Sequence, residues 1–273
     1  MSDLIVIRWN ECLARYLERP GSAAPSLEQE LTYLEAQLLA NPPAGCGTGL
    51  IQECREPPPR SLSVEQAGIK VVPIDQWPER IAELNAAKAW PNSHVWTVFN
   101  QGNIGSCASE AICGAMQALR SQEGQQKVTF NPYGLYGRVN GGRDAGSTLQ
   151  DNLSFVQRYG CFPESIWPRS KGWQAQPSAE AYEAAKAYRL QEVVQVRSRE
   201  EFGSALLAGL PVYFGYPGHA IFAVELIDQN RFWYVNSWGT NWGQQGRGTL
   251  SFSQIAWYYG AYAILTPRWG DVS

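Results

Sequence analysis

The sequence predicts an α+β fold, a helical half followed by an antiparallel β half with a cleft between them. Three observations carry this. Residues 107–121 put Ala108, Ala111, Ile112, Ala115 and Leu119 on one helical face, and Leu149, Leu153 and Val156 recur over 148–159 before Gly160 supplies a stop. After residue 190 the character changes to short aromatic and β-branched runs (PVYFGY, HAIFAVELI, RFWYVNSW, RGTLSF, AYAILT) parted by Gly, Asn and Asp. Helices grouped ahead of strands, rather than alternating with them, imply segregated layers.

The chain opens with a different kind of segment. Trp9, Leu13, Tyr16 and Leu17 recur at helical spacing until Pro20-Gly21, and Ser26 with Gln29 forms a capping box ahead of Leu27, Leu31, Leu34 and Leu38. Asn41-Pro42-Pro43 ends that pattern, and PPAGCGTG and EPPPR read as a Pro-rich strap. Two short helices with one apolar stripe each cannot bury themselves, so residues 1–69 form an extension that must dock, as a structural extension on the main body, as an inhibitory prosegment on its own cleft, or as an arm on a partner protein. Residues 70–273 form that body, with a helical lobe over about 100–189 and a β lobe over about 190–273; SAEAYEAAKAY at 178–188 is also helical by composition.

Composition narrows the function. A 44% hydrophobic content over 273 residues supports a packed core, and a net charge of −3 with interspersed signs argues against nucleic acid or an anionic membrane as partner. Eleven Trp and thirteen Tyr suit a ring-lined cleft. The first apolar run, Leu4 to Ile7, is too short for a signal-peptide core or a membrane span, so a reducing, cytoplasmic setting is expected. Cysteines 12, 46, 54, 107, 113 and 161 include no C-x-x-C pair and the chain has two His, which argues against a structural metal. Cys46 and Cys54 could bridge in an oxidising medium, but free thiols are the expectation.

The chemistry concentrates at three places. In NQGNIGSCASEAICG, Gly102 and Gly105 keep the approach irregular and Cys107 begins a helix, where unpaired N–H groups favour a thiolate and can hold an oxyanion. Gln101 can add a second oxyanion donor. His219 opens the strand HAIFAVEL, and Asn236 ends RFWYVNSW one turn later, so an amide can orient the imidazole. Glu225 shares the parity of His219 but lies ~20 Å along the strand, and His94 sits in a Trp-flanked loop with a structural role.

In that order, QGNIGSC, HAIFAV and NSWGTNWGQQGRG resemble the papain-like cysteine peptidases over about three quarters of the chain. The resemblance implies a two-lobed fold, helical lobe against antiparallel β-barrel, with the site in the cleft between. It implies Cys107 as nucleophile, His219 as base, Asn236 as orienting amide and Gln101 as oxyanion donor. Trp238 corresponds to the indole shielding the His–Asn bond, Trp242 to the ring on the leaving-group side, and Gly141-Gly142 to the glycine pair that binds substrate backbone antiparallel. The implied activity is peptide-bond hydrolysis of a polypeptide substrate without cofactor or metal. Ile104 and Val139 stand where the family has a disulfide, as a cytosolic version would need. Ala108 replaces a bulky aromatic and Gly218 an acidic residue. A rival reading is a papain-fold binding component of a larger assembly, a virus particle among them, with slight turnover; a cleft filled by residues 1–69 or by a neighbouring chain would favour it. Acyl transfer to an amine would use the same residues.

Overall fold

The computed structural model describes residues 42, 44–52 and 57–269. The two amphipathic segments before residue 41, with Cys12 and Cys54, lie outside the described residues. Six helices and seven strands are described: β1 (Ser61–Leu62), α1 (Trp77–Ala87), α2 (Cys107–Gln122), α3 (Pro132–Val139), α4 (Leu149–Arg158), α5 (Ala179–Ala185), β2 (Tyr188–Gln195), α6 (Arg199–Leu207), β3 (Val212–Tyr216), β4 (His219–Leu226), β5 (Arg231–Val235), β6 (Arg247–Ser251) and β7 (Ala261–Trp269). Short 3₁₀ turns join several of them.

The strands make one sheet in the order β1-β2-β7-β3-β4-β5-β6, antiparallel except for the β1–β2 pair. Its central strands are covered on both faces, which is why HAIFAV reads as a continuous apolar run. Alternation sorts their side chains: Val212, Phe214, Ile221 and Ala223 join one core with Trp77, Phe202, Trp238 and Trp242. Tyr213, Ala220, Phe222 and Val224 face the other core, built on α2 and α4.

Helix α2 is the spine, and its residues 107–120 are all buried. Small residues let it lie close to the sheet: a Cβ at Gly114 would stand 2.6 Å from the Phe222 ring. Thr148 caps α4 by accepting from Asp151 N, and the chain leaves α4 at Gly160 (φ 91°), whose Cβ would collide with Ala185 O. Helices α1 and α6 face one core, through Trp77, Ile81 and Leu84 on α1 and Phe202, Ala205 and Leu206 on α6. Trp77, fully buried, donates Nε1–H to Val72 O at 2.9 Å, and its ring occupies the space where a Cβ on Gly203 would be. Gly203→Ala is therefore expected to cost about 1–3 kcal/mol by overpacking. An unchanged denaturation midpoint would refute this account of the α1–α6 contact.

Candidate active site

Two backbone couplings assemble the site. Gly239 N donates to Phe99 O at 2.8 Å and Gln101 N to Ser237 O at 2.8 Å, lacing the loop before α2 to the segment after β5. Antiparallel pairing of β4 with β5, Phe222 opposite Val235, brings the start of one strand beside the end of the other. Residues separated by more than a hundred positions thereby meet at one end of the sheet.

At that end His219 Nε2 lies 2.8 Å from Asn236 Oδ1, and Nδ1 is buried without a hydrogen-bond partner. Asn236 is itself fixed, since its Oδ1 also accepts from Ser237 N at 2.7 Å. Trp238 stacks on the imidazole with centroids 4.8 Å apart at 28°, and Trp242 meets Trp238 edge-on at 5.5 Å. The Cys107 thiol lies beside the backbone of Ala220, the residue that follows His219, and of Ala108 and Gly49. Gln101 Oε1 accepts from Ser237 Oγ, while its Nε2 donates to Ile104 O at 2.7 Å and keeps one N–H for other use. Cys107, His219, Asn236, Gln101, Trp238 and Trp242 thus gather in one place.

Gly141 and Gly142 do not join them. They form a turn at φ 68° and 82°, Gly142 N donating to Asn140 Oδ1, with open space on their Cα atoms. Ser147 supplies the backbone contact instead. Ile51 N donates to Ser147 O at 3.1 Å, and Ser147 N donates to Gly49 O at 2.8 Å. Sequence reasoning missed this residue because a lone serine carries no signal for its main chain. His94 ends the 3₁₀ turn Pro91–His94, where Asn92 bridges Glu225 and Arg247.

The bonds of Ser147 belong to a larger feature. Residues 46–51 (CGTGLI) cross the site and bind both of its walls. Gly49 N and Leu50 N donate to Gly218 O at 3.2 and 3.1 Å, Gly47 N donates to Gly102 O, and Trp238 Nε1 donates to Gly47 O at 2.9 Å. The segment pairs with Ser147 in parallel, opposite in sense to the antiparallel substrate strand that the resemblance implies. Glycine is required at two of its positions. A Cβ at Gly49 would overlap Gly105 backbone atoms, and one at Gly47 would lie 2.6 Å from Ile104 O.

Burial beneath this segment reverses the expected ionisation. Cys107 and His219 are both 0% exposed. Desolvation pushes the thiol up to about 12, against the pull of its backbone hydrogen bonds, with Glu110 adding to the rise. Desolvation likewise pushes the imidazole down to about 4, partly offset by the Asn236 bond. A helix-start position alone favours thiolate, but here the loss of water outweighs it, and the covered pair is neutral. Among the described residues no cluster of three or more His, Cys, Asp or Glu is placed to hold a metal, and no helix is long and apolar enough to cross a membrane.

No family model matches the chain. A curated relative, the uncharacterized peptidase C1-like protein L477 of Acanthamoeba polyphaga mimivirus, is 24% identical over 202 residues, covering 58% of this chain and 65% of that protein. The chain therefore spans less than two thirds of that relative's length. Among solved structures, xylellain, a cysteine protease from Xylella fastidiosa, superposes with a TM-score of 0.60 at 20% identity over 81% of this chain and 97% of its own. The digestive procathepsin L 3 of Tenebrio molitor larval midgut gives 0.61 at 16% identity, over 97% of this chain and 89% of its own.

Proposed function

We propose that this chain, which has the fold of the papain-like cysteine proteases, is a cysteine endopeptidase whose cleft is closed by its own residues 46–51. The observation that carries the reading is the imidazole of His219. One nitrogen is tied to Asn236 under the Trp238 indole, the other has no partner, and the Cys107 sulfur lies beside the backbone of the next residue. That arrangement fixes the tautomer and leaves one ring nitrogen, not hydrogen-bonded to sulfur in the closed cleft, to take the Cys107 proton once the cleft opens.

With the cleft open, the proton of Cys107 passes to His219 and the thiolate adds to the peptide carbonyl carbon. The negative charge gathers on oxygen, which the Cys107 N–H and the spare Gln101 N–H stabilise. The imidazolium returns its proton to the departing amine as the C–N bond breaks. Water, deprotonated by the same imidazole, then cleaves the thioester and restores the thiol. An amine in place of water would give acyl transfer.

The closing segment is not positioned as a substrate. Gly49 N donates to Gly218 O, and the strand runs in the reverse sense to the substrate strand that the resemblance implies. This supports an inhibitory segment that survives in place. Taken alone, a cleft filled by residues 46–51 favours the rival reading, a binding protein of papain fold, whereas the His219–Asn236–Trp238 arrangement favours the peptidase. A full-length Gly49→Val chain, incubated with a thiol-directed epoxide and general peptides, separates them. The peptidase reading expects one adduct on Cys107 with peptide cleavage, and neither in the additional Cys107→Ser variant. An opened chain that takes no label and cleaves nothing leaves the binding reading.

A further inference from the structure

Resting on the peptidase reading, we propose that Arg169 and Glu110, a buried ion pair outside the Cys–His–Asn group, are positioning residues that hold the two oxyanion donors in register. Glu110 lies one turn along α2 from Cys107 with its side chain fully enclosed, and the Arg169 side chain is 21% exposed. The guanidinium grips the carboxylate with both arms, Nη1 to Oε2 at 3.0 Å and Nη2 to Oε1 at 2.6 Å.

Its remaining contacts point at the donors. Nη2 also donates to Asn100 O at 2.9 Å, immediately before Gln101. The guanidinium stacks 3.9 Å over the Tyr133 ring, and Tyr133 OH donates to Gln101 O at 3.1 Å. On the other side, Glu110 Oε1 accepts from Ser106 Oγ at 3.0 Å, immediately before Cys107. One fork therefore links the residue ahead of each donor, Gln101 and the Cys107 N–H. A buried ion pair barely exceeds its own desolvation cost, so net stability is a weak reason for it, whereas a planar fork with three acceptors is a strong device for fixing distances. Lysine, a point charge on a flexible stem, cannot hold all three. The charged and titratable groups around the pair are Glu164, whose Oε1 accepts from Arg169 N, and Tyr133, Cys107 and Cys113. Burial pushes the Glu110 carboxyl up, and Arg169 and Ser106 pull it back.

The test uses full-length Gly49→Val protein with and without Arg169→Lys, and two reactions of the same sulfur. Peptide hydrolysis builds an oxyanion; alkylation by iodoacetamide does not. Displaced donors lower kcat about 10- to 100-fold, with KM and the alkylation rate each held within about twofold. Glu110→Asp, which keeps the charge beside Cys107 and shortens the reach, is the second variant should Arg169→Lys not fold, and the same split is expected. Equal loss in both reactions means general damage and overturns the proposal, as does unchanged kcat. A Gly49→Val parent that neither hydrolyses peptides nor labels at Cys107 overturns the peptidase reading itself, and this inference with it.

Discussion

Replacing Gly49 with valine is expected to raise the rate at which a small electrophile labels Cys107 on the order of 10²-fold. The segment 46–51 is fastened by backbone hydrogen bonds to Gly102, Ser147 and Gly218 and by the Trp238 indole. Each contributes about 0.5–1.5 kcal/mol net, and 1.4 kcal/mol is a factor of ten in an equilibrium. A Cβ at 49 overlaps the backbone of Gly105, which cannot retreat because Gly105 N donates to Asp144 Oδ1 at 2.8 Å and the chain enters α2 two residues on. The strain falls on the segment, and breaking two or three bonds near Gly218 and Ser147 suffices for the expected gain. Mass spectrometry of the adduct reads the outcome. Equal labelling of Gly49→Val and parent chains would show that this segment does not control access to the sulfur.

The covered pair should also leave its mark on stability against pH. His219 is pushed down from 6.5 to about 4, so the folded chain binds that proton more weakly than the unfolded chain. Its contribution is complete above about pH 6.5 and is lost as pH falls to about 4, on the order of 3 kcal/mol at about 1.4 kcal/mol per pH unit. Cys107 behaves in the opposite sense. Pushed up from 9.0 to about 12, it contributes fully below pH 9.0 and loses that contribution as pH climbs toward 12. Denaturant unfolding of the parent and of His219→Gln, neutral throughout, isolates the imidazole. The parent should lose about 3 kcal/mol relative to the variant between pH 7 and pH 4. A constant difference would mean the imidazole is hydrated in the folded chain and the cleft already open.

Much of this protein is legible in its residues one stretch at a time. The start of α2 at Cys107, the β4 and β5 runs and the turn between them follow from periodicity and turn chemistry, and that antiparallel pairing alone sets His219 near Asn236. Local pattern is less informative where burial comes from several directions. Helix α1 is held by a tryptophan lodged against Gly203, and β2 pairs with its sheet neighbour β7 from the far end of the β half, Tyr188 opposite Trp269. Neither dependence is written in neighbouring residues.

The sequence by itself determined where Cys107, His219 and Asn236 stand on their elements, because each sits in a local context that dictates its backbone. Only the tertiary structure decided their state. Ionisation depends on water, and the site's cover includes CGTGLI, a stretch whose glycines look like linker until Gly102, Gly105 and Gly218 are seen against it. Solvation is a property of what lies on every side of a group. No single segment of chain encodes it.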